Sequence, residues 1–246
     1  MKKIIYALRF MTVIPIPWKE GEDMAEVARS ISFFPLVGLI IGLTNFGIFF
    51  LAGLLFSPLL SAVLVTVWWI FITGGLHLDG LADTADGVWG GTTKERRLEI
   101  MKDSRIGAFG VLTLISFILL KTATLNELFG FYDDNKYRAL IIAPVVGRWV
   151  SVFSIFYFDS AREDGLGVFF KKHIYLKELI VALILTLLIV LPIGGIAGAA
   201  ALASATVLTL VFSAFLTGKL GGLTGDTYGA MTEGTELLTL LVMLPL

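Results

Sequence analysis

The stretch ISFFPLVGLIIGLTNFGIFFLAGLLF, residues 31–56, decides the fold. It contains no Asp, Glu, Lys or Arg, and it is longer than the ~18–20 apolar residues a helix needs to cross a bilayer. In hydrocarbon only a helix or a closed barrel satisfies its own backbone, and so long a run has the length of a helical span. Working outward, comparable runs occupy 58–76, 107–120 (continuing past Lys121 to Phe129), 139–158, 176–191 and 197–217, with Pro192, Gly194 and Gly195 as the turn between the last two. Residues 237–246 are apolar but short, and read as a partial seventh span or a packed terminal helix. The pattern predicts an all-α polytopic transmembrane helix bundle of six to seven spans, built as one domain over 1–246.

Composition agrees. Hydrophobic residues make up 57% and charged residues 16%, against ~45–50% and ~25% in soluble domains. A net charge of −1 gives no reason to expect a nucleic-acid partner, and the lipid bilayer is the expected surrounding. The absence of cysteine excludes disulfides and thiolate metal sites, and His77 and His173 alone make a poor zinc set. Residues 1–30 open Met-Lys-Lys, but Arg9, Pro15 and Pro17 interrupt the apolar stretch and no small-residue cleavage site follows. The segment reads as interfacial or re-entrant and not as a signal peptide.

Lysine and arginine set the expected orientation. With the N-terminus inside, the inner segments hold Lys2, Lys3, Arg9, Lys19, Arg29, Lys94, Arg96, Arg97, Lys102, Arg105, Arg162, Lys171, Lys172, Lys177 and Lys219; the outer loops hold only Lys136 and Arg138. The polar segments 77–106, 159–175 and 218–236 then share the cytoplasmic face, and the active site is expected there.

In GGLHLDGLADTADG, residues 74–87, the aspartates Asp79, Asp83 and Asp86 fall at i, i+4 and i+7. On a helix they share a ~60° arc. Such a stripe at a membrane boundary either takes up protons or recruits a cation, and hard oxygens suit Mg²⁺. The plainer alternative is a solvated acidic helix end. His77 projects from nearly the opposite face unless the glycines break the helix, and a structural role fits it as well as a substrate-binding one. In MKDSRIG, residues 101–107, Asp103 could complete a metal site or act as a base. Lys102 and Arg105 could hold phosphate oxygens, or serve only as topology signals. The Gly-rich run 218–236 offers Lys219, Thr224, Thr227 and Asp226 to a phosphate or metal, or is a tight connection between helices; Glu233 and Glu236 are expected to begin the last helix. Arg148, deep in a span, is expected to bind substrate or to pair with a carboxylate between helices. Together these groups suit metal-assisted transfer of a phosphate-linked group.

GLHLDGLADTADG (75–87), MKDSRIG (101–107), REDGLG (162–167) and GGLTGDTYG (221–229), with LRFMTVIPIP (8–17) and FFPLVG (33–38), together resemble the cobalamin synthase (adenosylcobinamide-GDP ribazoletransferase) family over most of the chain. The resemblance implies an inner-membrane enzyme of late vitamin B12 assembly. It would join adenosylcobinamide-GDP to α-ribazole or its 5′-phosphate and release GMP. Asp79, Asp83 and Asp86 would hold Mg²⁺, one of them or Asp103 would be the base, and Lys102, Arg105 and Lys219 would hold phosphate. A homo-oligomer, or association with other corrinoid-assembly enzymes, is a further expectation. Two other readings compete. Asp83-x-x-Asp86-Gly87 is similar to the start of the CDP-alcohol phosphotransferase motif, though the continuation differs. Intramembrane charge and Gly-broken helices would also suit an ion-coupled transporter.

Overall fold

A computed structural model describes residues 2–17, 23–130 and 135–244. Lys19 and the last two residues of the 237–246 run lie outside the described residues. The elements are α1 (Lys2–Met11), α2 (Met24–Ala28), a 3-10 turn (Arg29–Phe33), α3 (Phe34–Gly53), α4 (Pro58–Thr73), α5 (Leu76–Gly90), α6 (Lys94–Ile100), α7 (Ala108–Gly130), α8 (Asn135–Tyr157), α9 (Leu166–His173), α10 (Leu176–Leu220) and α11 (Gly225–Val242). Among the described residues there is no strand, only a bridge between Ser160 and Leu223. The fold is an all-α bundle.

Among the described residues, Met24–Gly53, Ala108–Gly130, Lys136–Tyr157 and Leu176–Leu220 are long and apolar enough to cross a membrane, whereas α4 and α5 qualify only when joined, as a pair bent by 89°. Leu176–Leu220 is the longest of them and is not a straight rod. As one helix α10 would be ~68 Å long, about twice the hydrocarbon thickness. Gly195, at φ 55° and ψ −135°, breaks it. A Cβ on Gly198 would then lie 2.9 Å from the Val190 carbonyl oxygen, although those positions stand ~12 Å apart along an unbroken helix. The chain therefore folds back into two arms at the turn read from Pro192 and Gly195.

α8 lies at the centre, against α3, α10 and α11. Its contact with α3 is backbone to backbone: a side chain on Gly38 would run into the Pro144 carbonyl, and one on Gly42 would meet Ile141. Small residues four apart allow this approach, which matters in lipid because packing, more than water exclusion, joins helices.

α11 is the unusual member. It is buried along most of its length yet rich in Thr and Glu. The expectation that Glu233 and Glu236 begin this helix is corrected, because Thr224 caps it at Gly225 and both glutamates lie more than two turns inside. There the Lys121 Nζ of α7 donates to Glu233 Oε2 at 3.1 Å and to Glu236 Oε2 at 2.9 Å. Arg148 of α8 pairs with Glu236 Oε1, and the Trp69 ring of α4 lies 3.8 Å from Lys121 Nζ. Two basic and two acidic side chains balance in formal charge, and all four are buried. Breaking such a cluster from one side leaves an uncompensated charge, so Lys121→Met should lower stability in detergent by ~3–5 kcal/mol. The double change Lys121→Met with Glu233→Met should recover part of that loss in the same thermal-unfolding measurement.

Candidate active site

Gly74 and Gly75, at φ 61° and 70°, end α4 in the left-handed conformation and turn the chain into α5. Neither α5 nor α11 is by itself apolar and long enough to span, and α5 bears all three aspartates of the stripe. α5 crosses α11 with almost no space between backbones. A Cβ on Gly80 would lie 2.6 Å from the Asp226 carbonyl oxygen, and one on Gly229 would lie 3.1 Å from that of His77. This crossing brings Asp79 of α5 and Asp226 of α11 onto one cavity wall.

The chain between α8 and α9 completes the site. Leu223 N–H donates to the Asp159 carbonyl and Ala161 N–H donates to the Leu223 carbonyl, both at 2.8 Å. These two bonds carry Arg162 to Asp226, where Nη2 lies 3.1 Å from Oδ2. Thr224 caps α11 by accepting from Thr227 N–H at 3.3 Å, and its own hydroxyl lies 3.3 Å from Asp226 Oδ2. The cavity, about 250 Å³, is bounded by Leu76 and His77, by Leu166 and Gly167, and by Gly225 and Asp226. Those pairs are the first turns of α5, α9 and α11, so three helix N-termini converge on it. The positive ends of the three helix dipoles favour an anion there.

The acidic stripe divides. Asp83 is half-buried; burial raises its pKa to about 7, and the charges of Asp79, Asp226 and Asp86 add to this while Arg162 opposes it. Asp86 has another task. Its Oδ2 accepts from Gly107 N–H at 2.7 Å and its Oδ1 from Gly110 N–H at 2.8 Å, so both oxygens cap the start of α7. Among the described residues no group of three or more His, Asp or Glu is gathered as a metal cluster. The predicted set of Asp79, Asp83 and Asp86 thus does not form such a group; Asp79 and Asp226 share the cavity wall, and Asp83 feels the charges of both.

The other predicted residues are spread more widely. Asp103 is bound by its neighbour, with Arg105 Nε 3.1 Å from Oδ1 and Nη2 2.8 Å from Oδ2. Hydrogen bonds from Arg105 hold its carboxyl down to about 2, and both side chains stand in solvent away from the cavity wall. Lys102 lies 3.8 Å from Asp164, in the turn that leads into α9. Lys219 has its Nζ 5.7 Å from the Phe215 ring, and its carbonyl accepts from Arg97. Arg148 belongs to the buried ion cluster and not to the cavity. His77 does line it, buried within α5. The sequence reading treated Arg162 as part of a polar turn and overlooked Tyr228, which also lines the cavity. REDGLG was the available signal for Arg162, and GGLTGDTYG was the available signal for Tyr228.

The profile of the family described as cobalamin-5-phosphate synthase matches residues 3–244. The chain is similar to adenosylcobinamide-GDP ribazoletransferase of Roseiflexus sp. strain RS-1, 40% identical over 95% of this chain and 86% of that one. It is similar to the protein of the same name from Herpetosiphon aurantiacus, 41% identical over 99% of this chain and 96% of that one. With that of Desulfitobacterium hafniense strain Y51 it shares 40% identity over 100% of this chain and 98% of that one. No solved structure matches.

The Asp83 environment makes a prediction about the metal-free protein. A carboxyl whose folded pKa lies above its unfolded value is harder to ionise when folded, so stability is lost as pH rises from about 4 through about 7. Asp83→Asn should therefore unfold at a higher temperature than the parent chain at pH 8 in chelator, and at the same temperature near pH 4. Discounted for solvent screening, the gain is ~1–2 kcal/mol.

Proposed function

The chain belongs to the cobalamin-5-phosphate synthase family, whose members act in the last steps of vitamin B12 assembly, and we propose that it transfers the cobinamide-phosphate moiety of adenosylcobinamide-GDP to α-ribazole or its 5′-phosphate. One observation carries the reading: Asp79 and Asp226 line a cavity that three helix N-termini face, with Arg162 paired to Asp226 and Asp83 feeling the charges of both acids. Acid groups beside anion-attracting helix ends are what a site for a metal-bound diphosphate requires.

The donor set fits Mg²⁺. Asp79 and Asp226 would supply hard oxygen ligands from adjacent backbones, and Mg²⁺ commonly takes one or two carboxylates and completes its shell with water and substrate phosphate. When bound, Mg²⁺ would neutralise the diphosphate and stabilise the departing phosphate. Arg162 holds Asp226 in place and offers a fork to the same phosphates. Asp83, with a pKa about 7, suits a base that removes the proton of the ribose 3′-hydroxyl. That oxygen attacks the cobinamide-side phosphorus, the bond to the bridging oxygen breaks, and the electron pair leaves with GMP. Asp86 acts at a distance, fixing α7 against α5.

Counting the two arms of α10 separately and α4 as a crossing gives six spans, with α11 as a buried seventh helix. We place the N-terminus and the site on the cytoplasmic side of the inner membrane, because the basic residues gather on that face. We take 1–246 as one transferase domain with 1–30 as its interfacial or re-entrant segment. The cavity, walled by acids near the starts of three helices, suits a transferase better than a transport path.

The direct test is GMP release by purified protein in liposomes given adenosylcobinamide-GDP and α-ribazole, with and without Mg²⁺. Release should need both substrates and metal. Asp83→Asn should lower kcat by ~10²–10⁴-fold, the usual worth of a general base, while Asp103→Asn should stay within ~3-fold of the parent. Full turnover by Asp83→Asn would remove Asp83 as the base. Orientation has its own check: the chain has no cysteine, so Lys172→Cys should react with an impermeant maleimide only when the reagent is on the cytoplasmic side.

A further inference from the structure

The cavity has two unlike walls. Asp79, His77 and Asp226 lie on one side. The other is aromatic and comes from three separate helices: Phe10 of α1, Phe34 of α3 and Phe170 of α9. Phe10 and Phe34 stack at 5.8 Å with planes 9° apart, and Phe170 stands edge-on to both, at 5.0 and 5.8 Å. A diphosphate has no use for such a wall. The space of about 250 Å³ is also small beside the ~300–1,000 Å³ that drug-sized ligands occupy, and a corrin macrocycle is larger still. A flat fused-ring base is the right size and offers π faces to the phenyl rings.

Two bases take part in the proposed reaction, and the lining separates them. Guanine carries donors and acceptors around its whole edge, and several would be left unpaired against phenyl rings. The benzimidazole of α-ribazole is apolar except for its ring nitrogens, one bonded to ribose and the other a lone acceptor. A matching donor is at hand. Tyr228 and His77 both line the cavity and are under a tenth exposed. Yet Tyr228 Oη and His77 Nδ1 find no hydrogen-bond partner among the described residues. Buried polar groups in folded proteins nearly always have one, so such an orphan calls for a ligand or a water.

Resting on the transfer reading above, we infer that the aromatic side of this cavity is the acceptor's base subsite: the benzimidazole lies against Phe10, Phe34 and Phe170, and Tyr228 donates to its free ring nitrogen, while the acidic side is left to the reacting phosphate. The base so placed directs the attached ribose toward Asp79, Asp83 and Asp226. The donor's guanine and corrinoid lie elsewhere.

Two measurements test this, both on the full chain in liposomes. In the first, Tyr228→Phe should raise KM for α-ribazole ~10-fold and leave KM for adenosylcobinamide-GDP unchanged; a shift in the donor KM alone, or none at all, overturns the assignment. The second does not depend on how well a variant folds, because it reads a ratio. An α-riboside whose base carries one extra fused ring should be used ~10–100-fold less efficiently than α-ribazole by the parent chain, and Phe170→Leu should narrow that ratio at least ~10-fold by opening the wall. An unchanged ratio overturns the subsite and leaves the transferase standing. A parent chain that releases no GMP from the two substrates overturns both.

Discussion

The contact between α5 and α11 is the constraint on which the site depends. Both helices must give up side chains where they cross, at Gly80 and Gly229, before the backbones can touch. The effect is chemical as much as mechanical. Carboxylates on two helices at ordinary interaxial distances of ~8–10 Å would each be solvated separately. Here Asp79 and Asp226 share a wall, and Asp83 feels both. The site is thus a property of the crossing and not of either helix alone. The rest of the fold secures it: Asp86 ties the far end of α5 to α7, and the Asp159 to Leu223 backbone bonds tie the entry to α11 to the chain leaving α8.

Charge is handled in two different ways within one bundle. Deep inside, Lys121, Arg148, Glu233 and Glu236 cancel and are closed off from solvent. At the cavity the acids outnumber the single arginine that pairs with Asp226. The first arrangement is balanced in formal charge. The second is left incomplete, which is the usual physical mark of a place where something binds.

The helical bundle was legible because a run such as residues 31–56 admits few alternatives in lipid, and Pro192 with Gly195 marked the reversal in α10. The placing of Asp79 and Asp83 on one helix face was legible from their spacing. Asp86 shared that spacing and turned out to serve α7, since periodicity places residues on one face but cannot say which neighbouring helix meets each turn of it. Arg148 and the two glutamates were individually conspicuous, but their pairing joins positions 88 residues apart. The Gly-rich run 218–236 suggested a phosphate loop, whereas Thr224 converts most of it into helix. Gly38 and Gly42 carry a small-xxx-small signal, but the spacing does not name α8 as the helix they meet. The Phe10, Phe34 and Phe170 cluster has no local signal, because each phenylalanine sits in an otherwise ordinary apolar segment.

The reversal at Gly195 bears on how the chain enters the bilayer. Between Glu178 and Lys219 there is no charged side chain. The two arms and their tip can therefore be inserted together as a hairpin whose leading edge has no ion to strip of water. For the same reason the transmembrane potential, which acts on a translocated charge with ~2.3 kcal/mol per 100 mV, exerts no pull on this element in either direction. The hairpin carries no directional information of its own during biogenesis. Its sidedness is inherited from the lysines and arginines at its two feet and from the helices already in place.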